Sequence, residues 1–303
     1  MEYIKPGKHL DFVGKMKIAL GISAALIIIS ILSVVLRGGL NFGIDFAGGT
    51  IIQVKFSKAA PADAIRNAFA GINVGDAIIQ EIGENEVIVR TNQPMTKELQ
   101  VKVAEAMTGQ FGAGAYEIRR IEFVGPKVGR DLTNKAILSI VFAWIGMLIY
   151  IAWRFEFRYG LGAIIALIHD TIITIGALSL LNKEFTLVIV AALLTIIGYS
   201  INDTIVVFDR IREVRGRNPR LTSEMVNTSV NQTLSRTLLT SGTTLLTLVV
   251  LYIFGGEGIH AFAFALLVGI IVGTYSSVFI ASPVLLWLSN REASNQPRPG
   301  SIG

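Results

Sequence analysis

Residues 185–208 read FTLVIVAALLTIIGYSINDTIVVF and decide the fold of this chain. The run is long and apolar enough to cross a hydrocarbon core of about 30 Å as a helix. Near its end it carries a carboxylate, Asp203, and it leads directly into the basic stretch DRIREVRGRNPR. A charged side chain in hydrocarbon is costly and usually faces the inside of a helix bundle, on an ion or proton pathway. The segment therefore predicts a spanning helix with a buried titratable group; the alternative is that Asp203 only bonds a neighbouring helix and fixes packing.

The composition of the whole chain indicates a membrane protein. Of its 303 residues, 52% are hydrophobic and 16% are charged, whereas soluble domains carry about 25% charged residues. The net charge of +5 could indicate a nucleic-acid partner. The basic residues cluster at the ends of apolar runs, however, so we attribute the charge to membrane orientation and expect no nucleic acid. The chain has no cysteine and three histidines, so we expect no disulfide, no metal site and no cofactor.

Six apolar stretches are long enough, or nearly so, to span a membrane. The first follows four lysines and could be a signal peptide, but its apolar core is too long and no Ala-x-Ala-like cleavage site follows it. We therefore predict an uncleaved anchor. The sixth contains Gly269-x-x-x-Gly273, a spacing that permits close helix approach, either within the bundle or against a partner. The stretches are residues 18–36, 136–153, 160–181, 185–208, 237–254 and 259–288.

Basic residues in the short loops indicate the orientation of the chain. They follow the second and fourth stretches and lie near both termini, while the turn 182–184 has one lysine and residues 255–258 have none. Cytoplasmic loops carry an excess of Lys and Arg, so both termini are predicted in the cytoplasm. The predicted segments are a cytoplasmic N-terminus (1–17), transmembrane helix 1 (18–36), an extracytoplasmic domain (37–132), transmembrane helices 2–4 (133–208), a cytoplasmic loop with an amphipathic helix (209–236), transmembrane helices 5–6 (237–290) and a cytoplasmic tail (291–303).

The long segment between the first two spans alternates short strand and helix patterns. Residues 50–56, 77–82, 86–90 and 116–124 have strand character, and Thr96 is a candidate helix cap. The order β-α-β-β-α-β is that of a ferredoxin-like unit. No catalytic constellation is visible in it, so we expect a binding or mechanical module. The predicted fold class is an α-helical polytopic membrane protein with six transmembrane helices and a ferredoxin-like α/β extracytoplasmic domain between helices 1 and 2.

A glycine-rich stretch, GIDFAGGT at residues 43–50, joins the first span to this domain. Its glycines allow positive φ angles and close backbone approach. They could indicate a phosphate loop, but the pattern G-x-x-x-x-G-K-[ST] does not occur in the chain, so nucleotide hydrolysis is not expected. We predict a tight turn between membrane and domain, with Gly43, Asp45, Gly48 and Gly49 as its structural motif.

Four stretches together resemble one family. They are GIDFAGGT at 43–50, EFVGPKVGRDL at 122–132, IGYSINDTIVVFDRIRE at 197–213 and SRTLLTSGTT at 235–244. Their order, spacing and six-span layout are similar to the SecF family, the smaller subunit of the SecDF protein-export complex in the resistance-nodulation-division (RND) superfamily. No SecD segment is fused to the chain, so a separate subunit that needs a partner is expected.

This resemblance implies protein transport and translocation by the Sec pathway. With SecD as an obligate partner, the chain would use the proton-motive force to help draw unfolded preproteins outward after they pass the SecYEG channel. The external domain would move while holding or releasing the emerging chain. YajC and YidC are further implied partners. The resemblance also implies a multi-pass protein of the cell inner (cytoplasmic) membrane, with no enzyme activity.

The resemblance also implies roles for two polar residues of the bundle, and the positions of three others in the spans make them further candidates. Asp203 matches the family carboxylate proposed for proton transfer, and Arg236 matches the arginine that acts with it; the alternative for Arg236 is an interfacial anchor. Asn202 lies near the face of Asp203, where it could bond the carboxylate or join helices. Asp170 is a second relay candidate, and His169 a weaker one. Adjacent residues point about 100° apart on a helix, so these two are not expected to face one small site.

Two other functions are compatible with the residues. The first is a proton-driven small-molecule or lipid exporter of the same superfamily, although such pumps usually carry twice as many spans in one chain. The second is an intramembrane aspartyl protease that uses Asp170 and Asp203. It requires both carboxylates at one water, whereas helix rise puts them at different depths. The Gly-x-Gly-Asp pattern of that protease family is also missing.

Overall fold

A computed structural model describes residues 10–58, 62–72, 74, 77–82 and 85–295. The elements in chain order are α1 (Met16–Leu36), α2 (Ile44–Ala47), β1 (Gly49–Phe56), α3 (Ala62–Ala70), β2 (Ile78–Ile82), β3 (Glu86–Thr91), α4 (Lys97–Phe111), β4 (Tyr116–Val124), α5 (Pro126–Arg154), α6 (Phe157–Leu180), α7 (Leu187–Arg215), α8 (Ser223–Phe254), α9 (Glu257–Ser276), a π-helical turn (Ser277–Ala281) and α10 (Ser282–Asn295). Phe42–Ile137 forms one compact unit, the sheet unit, and the helices on either side of it in sequence form a second, the helix bundle. The predicted segments 1–17 and 291–303 lie partly outside the described residues.

Six helical segments in the described part of the chain are long and apolar enough to cross a membrane. The sixth runs from α9 through the π-helical turn into α10. Together with the small antiparallel sheet between the first two segments, they confirm the predicted fold class. Two segments begin at least ten residues before the apolar runs from which they were predicted. α5 begins at Pro126, and α8 begins at Ser223, so the predicted amphipathic helix continues without a break into the fifth span.

The spans differ in how much of their surface is covered by other helices. Within the most apolar 18 residues of each span, the buried share is 61% in α6 and 56% in both α7 and the sixth span. The buried share is only 17% in α1, 6% in α5 and 17% in α8. In lipid, an apolar residue gains little by turning inward, so side chains facing out remain apolar too. The centre of the bundle is therefore built by α6, α7 and α9, and polar residues of these helices can be kept away from lipid.

Small residues let α1 pack closely on α6. Ser33 Oγ lies 3.0 Å from Ser179 Oγ. One turn away, Gly176 faces Ser30 so closely that a β-carbon on Gly176 would overlap that side chain. Small residues and hydrogen bonds are the usual means of joining helices in a membrane, where the hydrophobic effect does not drive them together. These contacts make α1 an integral part of the bundle.

A π-helical turn, Ser277–Ala281, interrupts the sixth span. Pro283 follows at the second position of α10. Proline has no N–H and its ring clashes with the carbonyl four residues earlier, so a regular α-helix cannot continue through this point. Ser282 Oγ donates to the Ser277 carbonyl at 2.9 Å within the turn. Such turns are frequent at functional sites, and this one directly follows a polar stretch at residues 274–276 of α9.

The sheet unit has the predicted β-α-β-β-α-β order. Its four strands are antiparallel in the order β2-β3-β1-β4, and Ile52 of β1 pairs with Val89 of β3 and Ile121 of β4. Alternate strand residues pack against α3 and α4 because successive side chains of a strand point to opposite faces. Thr96 caps α4 as predicted, since its hydroxyl accepts from Leu99 N at 3.2 Å. The core consists of Ile52, Val54, Phe56, Ile65, Ala68, Phe69, Val74, Val87, Val89, Leu99, Val103 and Met107.

The glycine-rich stretch forms a short helix and a sharp entry into β1. α2 contains Asp45 and begins after Gly43, whose φ of −70° is open to any residue. Gly48 and Gly49 have φ values of +75° and +112°, which favour glycine. A β-carbon on Gly49 would also lie 2.6 Å from the Thr91 carbonyl oxygen. Backbone conformation and close approach thus both require glycine where the chain enters the sheet.

Candidate functional site

Asp203 lies inside the bundle, where α7, α8 and α9 meet. Its side chain is 3% exposed, and its Oδ2 accepts a hydrogen bond from Ser241 Oγ of α8 at 3.2 Å. Ser241 Oγ is in turn 2.7 Å from Thr274 Oγ1 of α9. Ser241 is the hydrogen-bond partner of this carboxylate among the described residues. Asp203 is therefore a buried acid held by one hydroxyl, with a second hydroxyl behind it.

Arg236 is not in contact with Asp203 in this structure. Its side chain is exposed, and among the described residues no ion pair joins the two. It lies five residues before Ser241 on α8, a rise of about 7.5 Å along the helix. A contact would require the flexible arginine side chain to reach along α8 toward the carboxylate. The structure thus brings Ser241, rather than Arg236, to Asp203.

Asn202 points away from the contact between Asp203 and α8. Its side chain is exposed and lines an open groove between α5 and α7, together with Gly146 and Gly198. No hydrogen bond between Asn202 and Asp203 is present in the described part of the chain. The structure therefore gives Asn202 an outward position in the bundle.

His169 and Asp170 form a second buried centre on α6. They are 4% and 1% exposed, and His169 Nδ1 is 2.9 Å from Asp170 Oδ1. The expectation that these adjacent residues could not face one small site is wrong. Their Cα–Cβ bonds diverge on the helix, but the two side chains are long enough for the ring to reach the carboxylate.

Two serines from other helices complete the second centre. Ser200 Oγ of α7 donates to Asp170 Oδ2 at 2.6 Å, and Ser276 Oγ of α9 approaches the same oxygen at 2.8 Å. Glycine makes this approach possible, because a β-carbon on Gly273 would lie 2.9 Å from Ser200 Cβ. Gly269 likewise faces Ile196 of α7. The Gly-x-x-x-Gly spacing in the sixth span therefore serves packing within the bundle.

Comparison with known proteins identifies the family of this chain. The family model for the C-terminal part of the SecD and SecF protein-export membrane proteins matches residues 103–291, and the SecD/SecF GG motif matches residues 37–60. The protein translocase subunit SecF of Calditerrivibrio nitroreducens is 47% identical over 93% of this chain and 95% of that protein. This chain belongs to the SecF family. The resemblance stated from the four sequence motifs is confirmed.

Other relatives and solved structures agree. The protein translocase subunit SecF of Magnetococcus marinus is 47% identical over 94% of this chain and 94% of that protein. The crystal structure of SecDF from Thermus thermophilus, a translocon-associated membrane protein, superposes with a TM-score of 0.81 at 35% identity. It covers 94% of this chain, which spans 39% of that longer chain. A structure of SecDF in a super-membrane-facing form gives a TM-score of 0.69 at 35% identity, over 97% of this chain and 40% of that one.

Membership of the SecF family makes the chain a protein translocase subunit of the Sec export system and a multi-pass membrane protein. The homologues are named as translocase subunits, which agrees with a role other than catalysis. Within the described residues, no group of three or more His, Cys, Asp or Glu side chains could hold a metal ion.

Four hydroxyl side chains around the two carboxylates were missed by the reasoning from sequence. For Ser241 a signal was available, because it lies within the motif SRTLLTSGTT. Ser200 lies one turn before Asp203 on α7. Isolated serines and threonines are common in spanning helices, where they usually bond their own backbone. The residues that the structure adds are Ser200, Ser241, Thr274 and Ser276.

The two carboxylates differ in the number of their hydrogen bonds. Asp170 has hydrogen-bond partners at both oxygens. Asp203 has the single donor Ser241. A hydroxyl can donate to a carboxylate or accept from a carboxylic acid by rotating. Asp203 can therefore exist in either protonation state without losing its partner, which is the property that a proton carrier needs.

Proposed function

We propose that this SecF family member acts with SecD to couple the proton-motive force to preprotein export by the SecYEG channel. The observation that carries the proposal is Asp203, a carboxylate buried in the bundle and held by one reversible hydroxyl partner. A lone acid in this position is costly unless it has a function, since intramembrane carboxylates usually lie on ion or proton pathways.

In the proposed cycle, Asp203 takes up a proton from the outer side and releases it toward the cytoplasm. The neutral and charged forms place different demands on the helices around it, because a buried charge requires either donors or a nearby cation. Ser241 supplies the donor in the structure. Arg236, on the same helix as Ser241, supplies the cation when its side chain moves inward. Alternation between these two partners would move α8 relative to α7.

The proposed location is the cytoplasmic membrane, the inner membrane in cells that have two, with both termini in the cytoplasm. The last turn of α7 carries Arg212 and Arg215, and cytoplasmic loops are enriched in such residues. The sheet unit then lies outside, where it meets unfolded preprotein as it leaves the channel. An outer position suits a unit with a mainly apolar core and charged residues on its surface strands.

The proposed obligate partner is SecD. The chain spans 39% of the solved SecDF chain, which supports a second subunit that supplies the remainder of the transporter. SecYEG, YajC and YidC follow from the family as further partners. The proposed role is not enzymatic: Asp170 and Asp203 have different serine partners and share no contact among the described residues. A protease would need both at one water. A small-molecule exporter has no observation in its favour.

The test is preprotein export into vesicles that contain this chain, SecD and SecYEG, measured with and without a proton gradient. Asp203→Asn keeps the shape of the side chain but cannot carry a proton. It should abolish gradient-dependent export and leave export driven by the channel's ATP-dependent motor unchanged. Thr195→Val, which removes an exposed hydroxyl from the same helix, is the matched control and should export normally. Normal gradient-dependent export by Asp203→Asn would remove the proposed role of Asp203.

A further inference from the structure

The second buried centre contains an atom that the proposed cycle does not use. His169 is 4% exposed, yet its Nε2 is fully buried and has no hydrogen-bond partner among the described residues. A buried polar atom without a partner lowers stability, because it loses its hydrogen bond to water and gains none in return. Such an atom in an otherwise well-bonded cluster requires an explanation.

Asp170 fixes the protonation pattern of the histidine ring. A charged carboxylate only accepts hydrogen bonds, so the 2.9 Å contact with Asp170 Oδ1 requires a proton on His169 Nδ1. In a neutral imidazole the other nitrogen then carries a lone pair and no proton. The serines Ser200 and Ser276 bond the opposite oxygen, Oδ2, and hold the carboxylate in place. Nε2 is thus presented as a proton acceptor.

The charge of the pair also favours proton uptake at this atom. With a neutral ring the pair carries one negative charge in a buried site, and with a proton on Nε2 it carries none. A proton on Oδ1 of Asp170 would displace the His169 donor, and a proton on Oδ2 would require Ser200 or Ser276 to rotate from donor to acceptor. Nε2 can take a proton while every donor of the cluster keeps its role.

The helices packed against α6 supply few other titratable groups. α1 has none between residues 18 and 36, and residues 277–290 after α9 have none. α9 presents Tyr275, whose ring is 6.3 Å from the His169 ring and whose hydroxyl is bonded to the Ala19 carbonyl oxygen at 2.6 Å. α7 presents Asp203, one turn beyond Ser200, and Tyr199, whose hydroxyl bonds Thr244 of α8. The nearest charge to the ring is therefore that of Asp170.

We propose that His169 Nε2 is a second proton-binding atom of the bundle, with Asp170 as the residue that positions the ring. On uptake, the Nε2 lone pair accepts the proton and the imidazole becomes an imidazolium paired with the Asp170 carboxylate; release restores the neutral ring. This assignment gives the proton to the histidine and leaves Asp170 charged throughout.

The same two helices connect this atom with Asp203. α7 carries both Ser200, which bonds Asp170, and Asp203 one turn later. α9 carries both Ser276, at Asp170, and Thr274, at the Ser241 partner of Asp203. A change of charge at His169 would therefore act on helices that also hold Asp203. This part of the inference rests on the proposed function; the protonation of His169 does not.

Nitrogen NMR of the histidine side chains tests the protonation directly. The chain has three histidines, so the purified full-length protein in lipid discs gives few signals, and His169→Asn identifies the signal of His169. At high pH this signal should show a single neutral tautomer with the proton on Nδ1. Lowering the pH within about 5–8, the range in which histidines usually titrate, should add a proton at Nε2. A proton on Nε2 in the neutral ring, or no change over this range, would overturn the proposal.

Asp170→Asn tests the positioning role with the same readout. The variant should lose the fixed tautomer and show a mixture of both neutral forms, because an amide can donate or accept by flipping. A single unchanged tautomer in Asp170→Asn would show that Asp170 does not position the ring. If the variant does not fold, the wild-type spectrum still decides the protonation of His169.

Export assays test the role of the atom in transport. His169→Asn keeps a donor near the position of Nδ1 but has no group to take up the proton, and should lower gradient-dependent export at least about tenfold. His260→Asn is the matched control and should export normally, because His260 contacts Lys183 and Tyr252 instead. Normal export by His169→Asn, with export lost in Asp203→Asn, would overturn the role of His169 and leave the proposed function standing. Normal export by Asp203→Asn would instead remove the proposed function.

Discussion

The sheet unit and the helix bundle differ in the polar side chains that they bury. The sheet unit buries mainly apolar side chains, and Thr50 and Thr91 are its buried polar residues in the part that the structure describes. The bundle buries two carboxylates, a histidine and a series of hydroxyls. The unit that resembles a soluble domain keeps its charges on the surface, whereas the unit that spans a membrane keeps charges inside.

This difference separates residues that stabilise the protein from residues that take part in its proposed coupling to the proton gradient. In the sheet unit, apolar burial provides the stability, and each large side chain contributes about 1.5–3 kcal/mol when fully buried. In the bundle, burial of the Asp170 and Asp203 carboxylates lowers stability unless hydrogen bonds or counter-charges offset it. Substitutions in the sheet unit should therefore change stability, and substitutions at the buried polar residues of the bundle should change coupling to the proton gradient.

The largest effect is expected at Asp203 and Arg236 together. Asp203→Asn should abolish gradient-dependent export, and Arg236→Ala should lower it at least about tenfold. If the two residues act as one unit, the double variant should be no worse than the worse single variant. Residues that act as a unit are strongly non-additive. Export is measured for all four proteins at matched membrane levels. Fully additive losses would leave Asp203 as the carrier and reduce Arg236 to an interfacial anchor.

The next largest effect is expected in the sheet unit, at Gly49. Gly49→Ala places a β-carbon 2.6 Å from the Thr91 carbonyl oxygen at a φ of +112°, and should lower the free energy of unfolding of this unit by about 3 kcal/mol. Hydrogen exchange of the β1 and β3 amides in the full-length protein measures the loss. Gly109→Ala on α4, where a β-carbon meets nothing within 4 Å, is the control and should raise stability by about 0.5–1 kcal/mol. Equal protection in both variants would contradict the close approach.

The order of elements could be predicted from sequence because its signals are local. Long apolar runs predicted the spans. Short strand and helix patterns that alternate between turn residues predicted the β-α-β-β-α-β order of the sheet unit. The continuity of α8 was not predicted, because its first half is amphipathic and its second half apolar, and a change in hydropathy does not end a helix. The π-helical turn before Pro283 was likewise not identified.

The candidate site could be predicted only in part, because it depends on which helices are neighbours. Asp203 was identified because a carboxylate in an apolar run is conspicuous. Its partner Ser241 comes from a helix 38 residues away in sequence, and no local pattern pairs the two. Cα–Cβ directions alone predicted that His169 and Asp170 do not face one small site, whereas their side chains meet at 2.9 Å. Arg236 was expected near Asp203 by resemblance and lies on the exposed side of α8.

The smallest effect is expected from a polar residue of the sheet unit, Thr96. Its hydroxyl caps α4 by accepting from Leu99 N at 3.2 Å, so Thr96→Ala should lower the stability of the unit by about 1 kcal/mol. Gradient-dependent export should stay within about twofold, since the domain remains folded. Thr96→Ser keeps the capping hydroxyl and should restore the lost stability. A loss of coupling in Thr96→Ala without a loss of stability would break the distinction between the two units.

In the proposed cycle Asp203 exchanges a proton while Asp170 stays charged. Infrared difference spectra of the complex with SecD, recorded between low and high pH, report protonated carboxyl groups by their C=O stretching band. We expect a band from a buried carboxylic acid that disappears in Asp203→Asn and persists in Asp170→Asn. A band that survives Asp203→Asn unchanged, or one that Asp170→Asn removes, would contradict it.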